Sequence, residues 1–335
     1  MKKIVSLLLS LCLPLGLAAC GVSAAPPAED GRLTIVATDF PAYDFARAVC
    51  GQAGDVSLLL PPGTESHSYE PTPRNILDVQ ACDLFIYVGG ESDTWVDTIL
   101  ESLDTPVETL KMVDCVELLE EEPLEGMTVR GYDHDHDGDG HDDHDEDEDH
   151  DHGRGLGEVV EADEHVWTSP VNAAAIVTAI GERAAALDPD NEAVYRANAA
   201  DYEAEILKLD GEFRDFFATV ADKTMVFGDR FPLRYFAEEY DLTCYAAFPG
   251  CSTQTEPSAA TVAFLTETVK EQHLPAVYYI EFSNHLVADS IAEAAGAGTA
   301  LFHSCHNVSR ADLDAGATYV TLMEQNLNTL RNTMK

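Results

Sequence analysis

From Asn191 to about Ala218 the chain carries no proline, and only Gly211 interrupts it. Within that stretch Tyr195, Ala199, Tyr202, Ile206, Leu209, Phe213 and Phe216 recur at alternating spacings of four and three, one apolar stripe along a single helix. At about 1.5 Å per residue the helix runs roughly 40 Å, longer than one lobe needs. A chain of 335 residues that is 45% hydrophobic has enough material for two cores. The helix, residues 191–218, is therefore read as a strut between two lobes, 32–190 and 219–335, that limits hinge motion.

Both lobes share one grammar. Strand-like runs at Leu33–Thr38, Val56–Leu60 and Leu84–Val88 alternate with helical stretches at Tyr43–Val49, Thr72–Ala81 and Trp95–Leu103. In the second half, strands at Thr224–Phe227, Leu242–Ala247, Ala276–Ile280 and Thr299–Phe302 alternate with helices at Leu233–Tyr240, Ser258–Glu271, Leu286–Ala295 and Ala317–Leu330. Such alternation predicts an α/β fold, each lobe a parallel sheet flanked by helices.

The first twenty residues stand outside this pattern. Lys2 and Lys3 precede an apolar run, Ile4 to Ala19, that reads as a secretory signal. Its end, Leu17-Ala18-Ala19-Cys20-Gly21, resembles a bacterial lipoprotein box, which implies cleavage before Cys20 and acylation of that cysteine. Residues 21–31, rich in Ala and Pro, read as a flexible tether. No later apolar run is long enough to span a bilayer. The body is expected outside the cytoplasm, held to the membrane by lipid.

Charge narrows the partners. A formal charge of −42 repels nucleic acid and anionic membrane surfaces and favours cations. Residues 133–152 hold ten Asp, two Glu, six His and two Gly, with nothing apolar. The surrounding segment, about 120–162, is expected to be a disordered loop. Its His134, His136, His141, His144, His150 and His152 alternate with carboxylates, a pattern suited to weak, many-sided capture of divalent metal ions. A solvated spacer would account for the carboxylates but not for the imidazoles.

A tight site needs fewer ligands, rigidly held. In open α/β sheets, ligands bind beyond the carboxyl ends of the strands. The segments that follow strands include Pro61-Pro62-Gly63-Thr64-Glu65-Ser66-His67, Gly228-Asp229-Arg230, Glu281, and His303-Ser304-Cys305-His306-Asn307. Between the halves' strands lies Asp163-Glu164-His165-Val166-Trp167-Thr168-Ser169-Pro170, where Ser169 caps a helix with Pro170 at its first position. His165 is thus expected in a short rigid loop. His67 and His165, with His303 or His306, would make a tetrahedral, zinc-like site in the cleft between lobes. His273, His285 and Glu281 have bland readings as solvated side chains, caps or ion pairs. Of the six cysteines beyond the anchor, Cys50, Cys82, Cys115, Cys244, Cys251 and Cys305, three fall in each half. Fifteen complete pairings are open, and Cys251–Cys305 is the tentative pair.

These pieces together resemble the metal-binding lipoproteins of bacterial ABC importers, the zinc and manganese cluster of solute-binding proteins. The resemblance rests on the lipobox, Pro-Pro-Gly…His67…Glu70-Pro71, Asp163–Trp167, the linking helix, Glu256-Pro257-Ser258, and Tyr319…Met323…Asn326-Leu327. It covers essentially the whole mature chain, and the His-rich acidic insertion matches the zinc-selective branch. It implies a binding protein, not an enzyme, that delivers Zn²⁺ to a membrane permease, with His67 and His165 as the first two ligands. The third family position reads Phe227-Gly228-Asp229, so its histidine is missing and Asp229 is the substitute. The fourth falls at or beside His306, with His303 as its alternative. The rival expectations are a manganese carrier of the same class, a surface adhesin, and a secreted zinc hydrolase. No His-Glu-x-x-His helix or nucleophile elbow supports the last.

Overall fold

A computed structural model describes residues 31–64, 69–90, 93–121, 124–127, 162–250 and 256–334. The signal, Cys20, the tether as far as residue 30, His67, Cys251 and the six histidines of the acidic loop lie outside the described residues.

The first half runs β1 (Leu33–Ala37), α1 (Phe40–Cys50), β2 (Gly54–Leu58), α2 (Pro73–Gln80), β3 (Leu84–Tyr87), α3 (Thr94–Ser102) and β4 (Thr109–Lys111). After a 3₁₀ turn at Val166–Thr168 come α4 (Pro170–Leu187) and α5 (Glu192–Phe217). The second half runs β5 (Thr224–Phe231), α6 (Arg234–Tyr240), β6 (Thr243–Pro249), α7 (Ala259–Glu271), β7 (Ala276–Tyr279), α8 (Leu286–Ala295), β8 (Gly298–Leu301), α9 (Arg310–Asp314) and α10 (Tyr319–Thr333). Two four-stranded sheets result, ordered β2-β1-β3-β4 and β6-β5-β7-β8, and every pairing within them is parallel. None of the described helices is long and apolar enough to cross a membrane.

Local chemistry sets the helix starts. Asp39 caps α1 by accepting from the Ala42 amide, Thr72 and Asn75 form a reciprocal capping box on α2, and Ser169 caps α4. The α1 cap, with Pro41 in the first turn, starts that helix three residues earlier than the apolar pattern indicates.

The long helix is present, at 26 residues. Tyr195, Ala199, Tyr202, Ile206, Leu209 and Phe213 are buried along it, and Phe217 takes the place expected for Phe216, which is only partly buried. It packs on α1 and α4 from the first half and on α6 and α10 from the second. One continuous core consequently includes Ile35 and Ile86 of the first sheet together with Met225, Phe227 and Tyr278 of the second. Phe236 meets Phe213 and Phe302 edge to face there while Phe217 stacks on Tyr240, each pair with a centroid separation of 5.2 Å. Buried Asp44 adds a polar stitch, accepting from the Tyr202 hydroxyl of α5 and the Tyr319 amide at the start of α10. The halves are joined by shared packing as well as by chain.

β5 departs from the sequence expectation. It continues four residues past Phe227, with a register shift against β6 between Phe227 and Arg230. A Cβ on Gly228 would sit 2.3 Å from the Ala288 Cα, so only glycine permits α8 to lie this close to the strand.

Candidate metal centre

His165 occupies the turn between the first sheet and α4, and it is fully buried. Asp163 Oδ1 accepts both the His165 amide, at 2.8 Å, and its Nδ1, at 3.0 Å. Holding the proton on Nδ1 leaves Nε2 as the nitrogen with a lone pair, the tautomer a metal requires. Burial pulls the imidazole pKa down, but the neighbouring Asp163, with Glu164 and Glu121, outweighs it, so the net shift is upward. Glu164 is itself fixed by close packing, since a Cβ on Gly90 would fall 2.2 Å from its Oε2.

Trp167 then carries the frame across the molecule. Its Nε1 donates to the Ser304 carbonyl at 2.9 Å, and the Tyr319 hydroxyl donates to the Trp167 carbonyl at 2.9 Å. These bonds bring the Ser304–Asn307 loop, which follows β8, against the first half. The His306 ring stands 5.0 Å from the Trp167 ring and 5.8 Å from that of His165, the two imidazoles at 85°. Two imidazoles sharing one ion at Zn–N about 2.0–2.1 Å have centroids roughly 5–6 Å apart, so the spacing suits a shared ion.

The loop bearing His306 is pinned at several points. Phe40 N donates to the His306 carbonyl at 3.3 Å. Asn307 Nδ2 donates to the carbonyls of Pro61 and Thr64, at 3.1 and 2.8 Å, on the segment leading into His67. Glu281 accepts from the Ser304 amide and hydroxyl, at 2.7 and 2.6 Å. A small cleft results, its wall including His165, Arg230, Gly250, Glu281, His306 and Asn307.

The remaining candidates lie elsewhere. His303 Nδ1 accepts from the Cys305 amide at 2.9 Å and is 3.5 Å from Glu281, while Asn326 clamps the His303 main chain from both sides. That imidazole organises its own loop. Asp229 is buried, with Oδ1 accepting from Arg230 N at 2.8 Å and Oδ2 from Ile280 N at 3.2 Å. Both of its oxygens thus serve main-chain amides, and the residue that reaches the cleft is Arg230. Among the described residues no group of three or more His, Cys, Asp and Glu stands ready to hold an ion.

The tentative Cys251–Cys305 pair is corrected: Cys305 is a free thiol, fully buried in the shared core. Cys50, Cys82, Cys115 and Cys244 are also free. Burial pushes the Cys50 and Cys82 thiols up to about 12 and Cys115 to about 11, with Cys244 and Cys305 raised further.

Sequence reasoning did not single out Arg230, Asn307 or Gly250 as residues of the cleft.

Comparison with known proteins places this geometry in context. The family model described as ZnuA, zinc-uptake complex component A, periplasmic, matches residues 35–333. The chain is 34% identical to the zinc-binding lipoprotein AdcA of Streptococcus pneumoniae strain R6, over 99% of its own length and 61% of that protein's. It therefore spans about three-fifths of that relative. It is also 34% identical to the high-affinity zinc uptake system protein ZnuA of Bacillus subtilis strain 168, over 95% of this chain and 93% of that one. Among solved structures it resembles the Zn(II)-bound ZnuA-like domain of S. pneumoniae AdcA, with a TM-score of 0.69 and 30% identity over 90% of this chain and 99% of that one. It likewise resembles the metal-dependent lipoprotein YcdH of B. subtilis, with a TM-score of 0.70 and 28% identity over 91% and 100%.

Proposed function

The chain belongs to the ZnuA family of zinc-uptake components, and from that premise we propose that it captures one Zn²⁺ in its cleft and delivers the ion to the permease of an ABC importer. His67, His165 and His306 are the ligands, and the protein works outside the cytoplasmic membrane, anchored through acylated Cys20. Binding, not turnover, is its task.

The observation that carries this reading is the meeting of His165 and His306, from opposite halves of the chain, in one cleft at a separation suited to a shared ion. The Asp163–His165 pair adds a carboxylate–imidazole arrangement that raises ligand basicity and fixes ring orientation. Imidazole-rich ligation favours zinc over manganese. Glu281, His303 and Asp229 act as supports: Glu281 and His303 shape the loop that carries His306, and Asp229 ties β5 to the end of β7. Residues 133–152 would serve as a loose outer trap.

The test is a competitive zinc titration of the lipid-free body, of the same body lacking residues 133–152, and of His165→Ala. One tight zinc retained after the deletion and lost on the substitution is the expected result. A tight site that disappears with the loop and survives in His165→Ala would refute the proposal.

A further inference from the structure

The turn from β1 into α1 holds two buried oxygens that the fold does not explain. Asp39 Oδ1 caps α1, accepting from the Ala42 amide at 3.2 Å. Its other oxygen, Oδ2, is buried with no hydrogen-bond partner among the described residues, and the same is true of the neighbouring Thr38 hydroxyl oxygen. Buried polar atoms are paired in the large majority of cases, and an orphan commonly marks an absent water or ion. Here there are two on consecutive residues.

Asp39 Oδ2 lies 4.0 Å from Nε2 of His306. The relation is held by main chain, because the next residue, Phe40, donates its amide to the His306 carbonyl. An ion bonded to one imidazole nitrogen and one carboxylate oxygen at about 2.0–2.2 Å separates them by roughly 3.3 Å in tetrahedral geometry. Less than about 1 Å of approach would therefore bring both onto the same metal.

We infer that Asp39 is a further ligand to the captured ion, supplied from the carboxyl end of β1. The inference rests on the cleft reading above and completes it. The carboxyl end of β5 provides no metal ligand: Asp229 is committed to two amides, and the Arg230 guanidinium carries only hydrogen-bond donors and cannot ligate a cation. With His165 and His306, Asp39 makes a set of two nitrogens and one oxygen, donor types that suit zinc. Its negative charge also offsets part of the ion's charge in a buried position, where the capping role alone needs only a neutral acceptor.

Asp39→Ser and Asp39→Asn test this, since each keeps an acceptor for the Ala42 amide. Both variants, the wild type and His165→Ala are compared by zinc competition, by the visible absorption of the Co²⁺-loaded protein, and by melting of the metal-free form. The expected result is a zinc affinity at least about tenfold weaker in both variants and a changed Co²⁺ spectrum, with metal-free melting unchanged or higher. Zinc affinity within twofold of wild type would overturn the assignment. A weakened affinity with an unaltered Co²⁺ spectrum would also overturn it, because Asp39 would then be a neighbour only. Failure of the wild type itself to bind zinc would instead remove the cleft reading, a separate outcome.

Discussion

Asn307→Ala isolates how the cleft is held together. Asn307 sits beside His306, and its Nδ2 donates to the carbonyls of Pro61 and Thr64, the stem of the segment that leads to His67. Removing the amide deletes both bonds and also takes away Oδ1, which accepts from the buried Val308 amide at 2.7 Å. At a net 0.5–1.5 kcal/mol for each bond, the loss is roughly 1–3 kcal/mol. Water replaces part of it because the site is only partly buried, which favours the lower half of that range. In the metal-free protein neither sheet depends on the two Nδ2 bonds, and a fall in melting temperature should come from the buried Val308 amide left without its acceptor. On binding, however, the freed stem must be ordered again, at about 1 kcal/mol or more for each backbone residue fixed. With 1.4 kcal/mol per tenfold in affinity, zinc binding should weaken by about 5- to 30-fold. Competition against a chromogenic zinc chelator at pH 7.5, alongside melting of the metal-free protein, reads both quantities. An affinity within twofold of wild type, whatever happens to melting, would show that Asn307 does not position the ligand segment.

Two further substitutions probe the surroundings. A Cβ at residue 250 would stand 3.1 Å from His165 Cε1 and from the Phe231 carbonyl, and 3.3 Å from Pro232 Cα. Two of these neighbours are backbone, so in Gly250→Ala the imidazole gives way, and zinc affinity should fall several-fold; an unchanged affinity in the same competition assay would refute the steric argument. Burial chiefly, with Glu164 nearby, pushes the Asp93 carboxyl from 3.8 up to about 7. Because the folded form then holds a proton that the unfolded chain releases, this residue's contribution is full below about pH 4 and is lost as pH rises through 7. Asp93→Asn should remove that slope, worth up to roughly 4 kcal/mol across the window at 1.36 kcal/mol per unit. Urea unfolding of the metal-free proteins at pH 5 and pH 7.5 measures it, and parallel changes in wild type and variant would contradict the assignment.

Much of the architecture was legible because it depends on periodicity. The 191–218 stripe corresponds to α5 at Glu192–Phe217, and the Ser169-Pro170 start of α4 follows from capping chemistry alone. β4, only three residues long with one fully buried, and the five-residue α9 left too little pattern to detect. The limits of β5 were hidden for another reason. Gly228-Asp229 reads as the end of a strand, yet the glycine is there for the approach of α8, and the aspartate binds the main chain of Ile280. Both are tertiary demands with no local signature. The environment of His165 was legible from its flanking Asp163 and Trp167. The partnership with His306, 141 positions away, was reached through the strand-end rule and the resemblance, but the Trp167–Ser304 and Phe40–His306 bonds that hold it are encoded by no spacing rule.

The state of the five described thiols bears on the choice of cargo. Thiolate sulfur is among the strongest competitors for zinc, and a carrier studded with ionised cysteines would divert its own freight into unproductive complexes. Burial keeps every one of the five protonated at neutral pH, two of them with pKa near 12 and none below about 11. The same protonation blunts attack by oxidants at these five sulfurs.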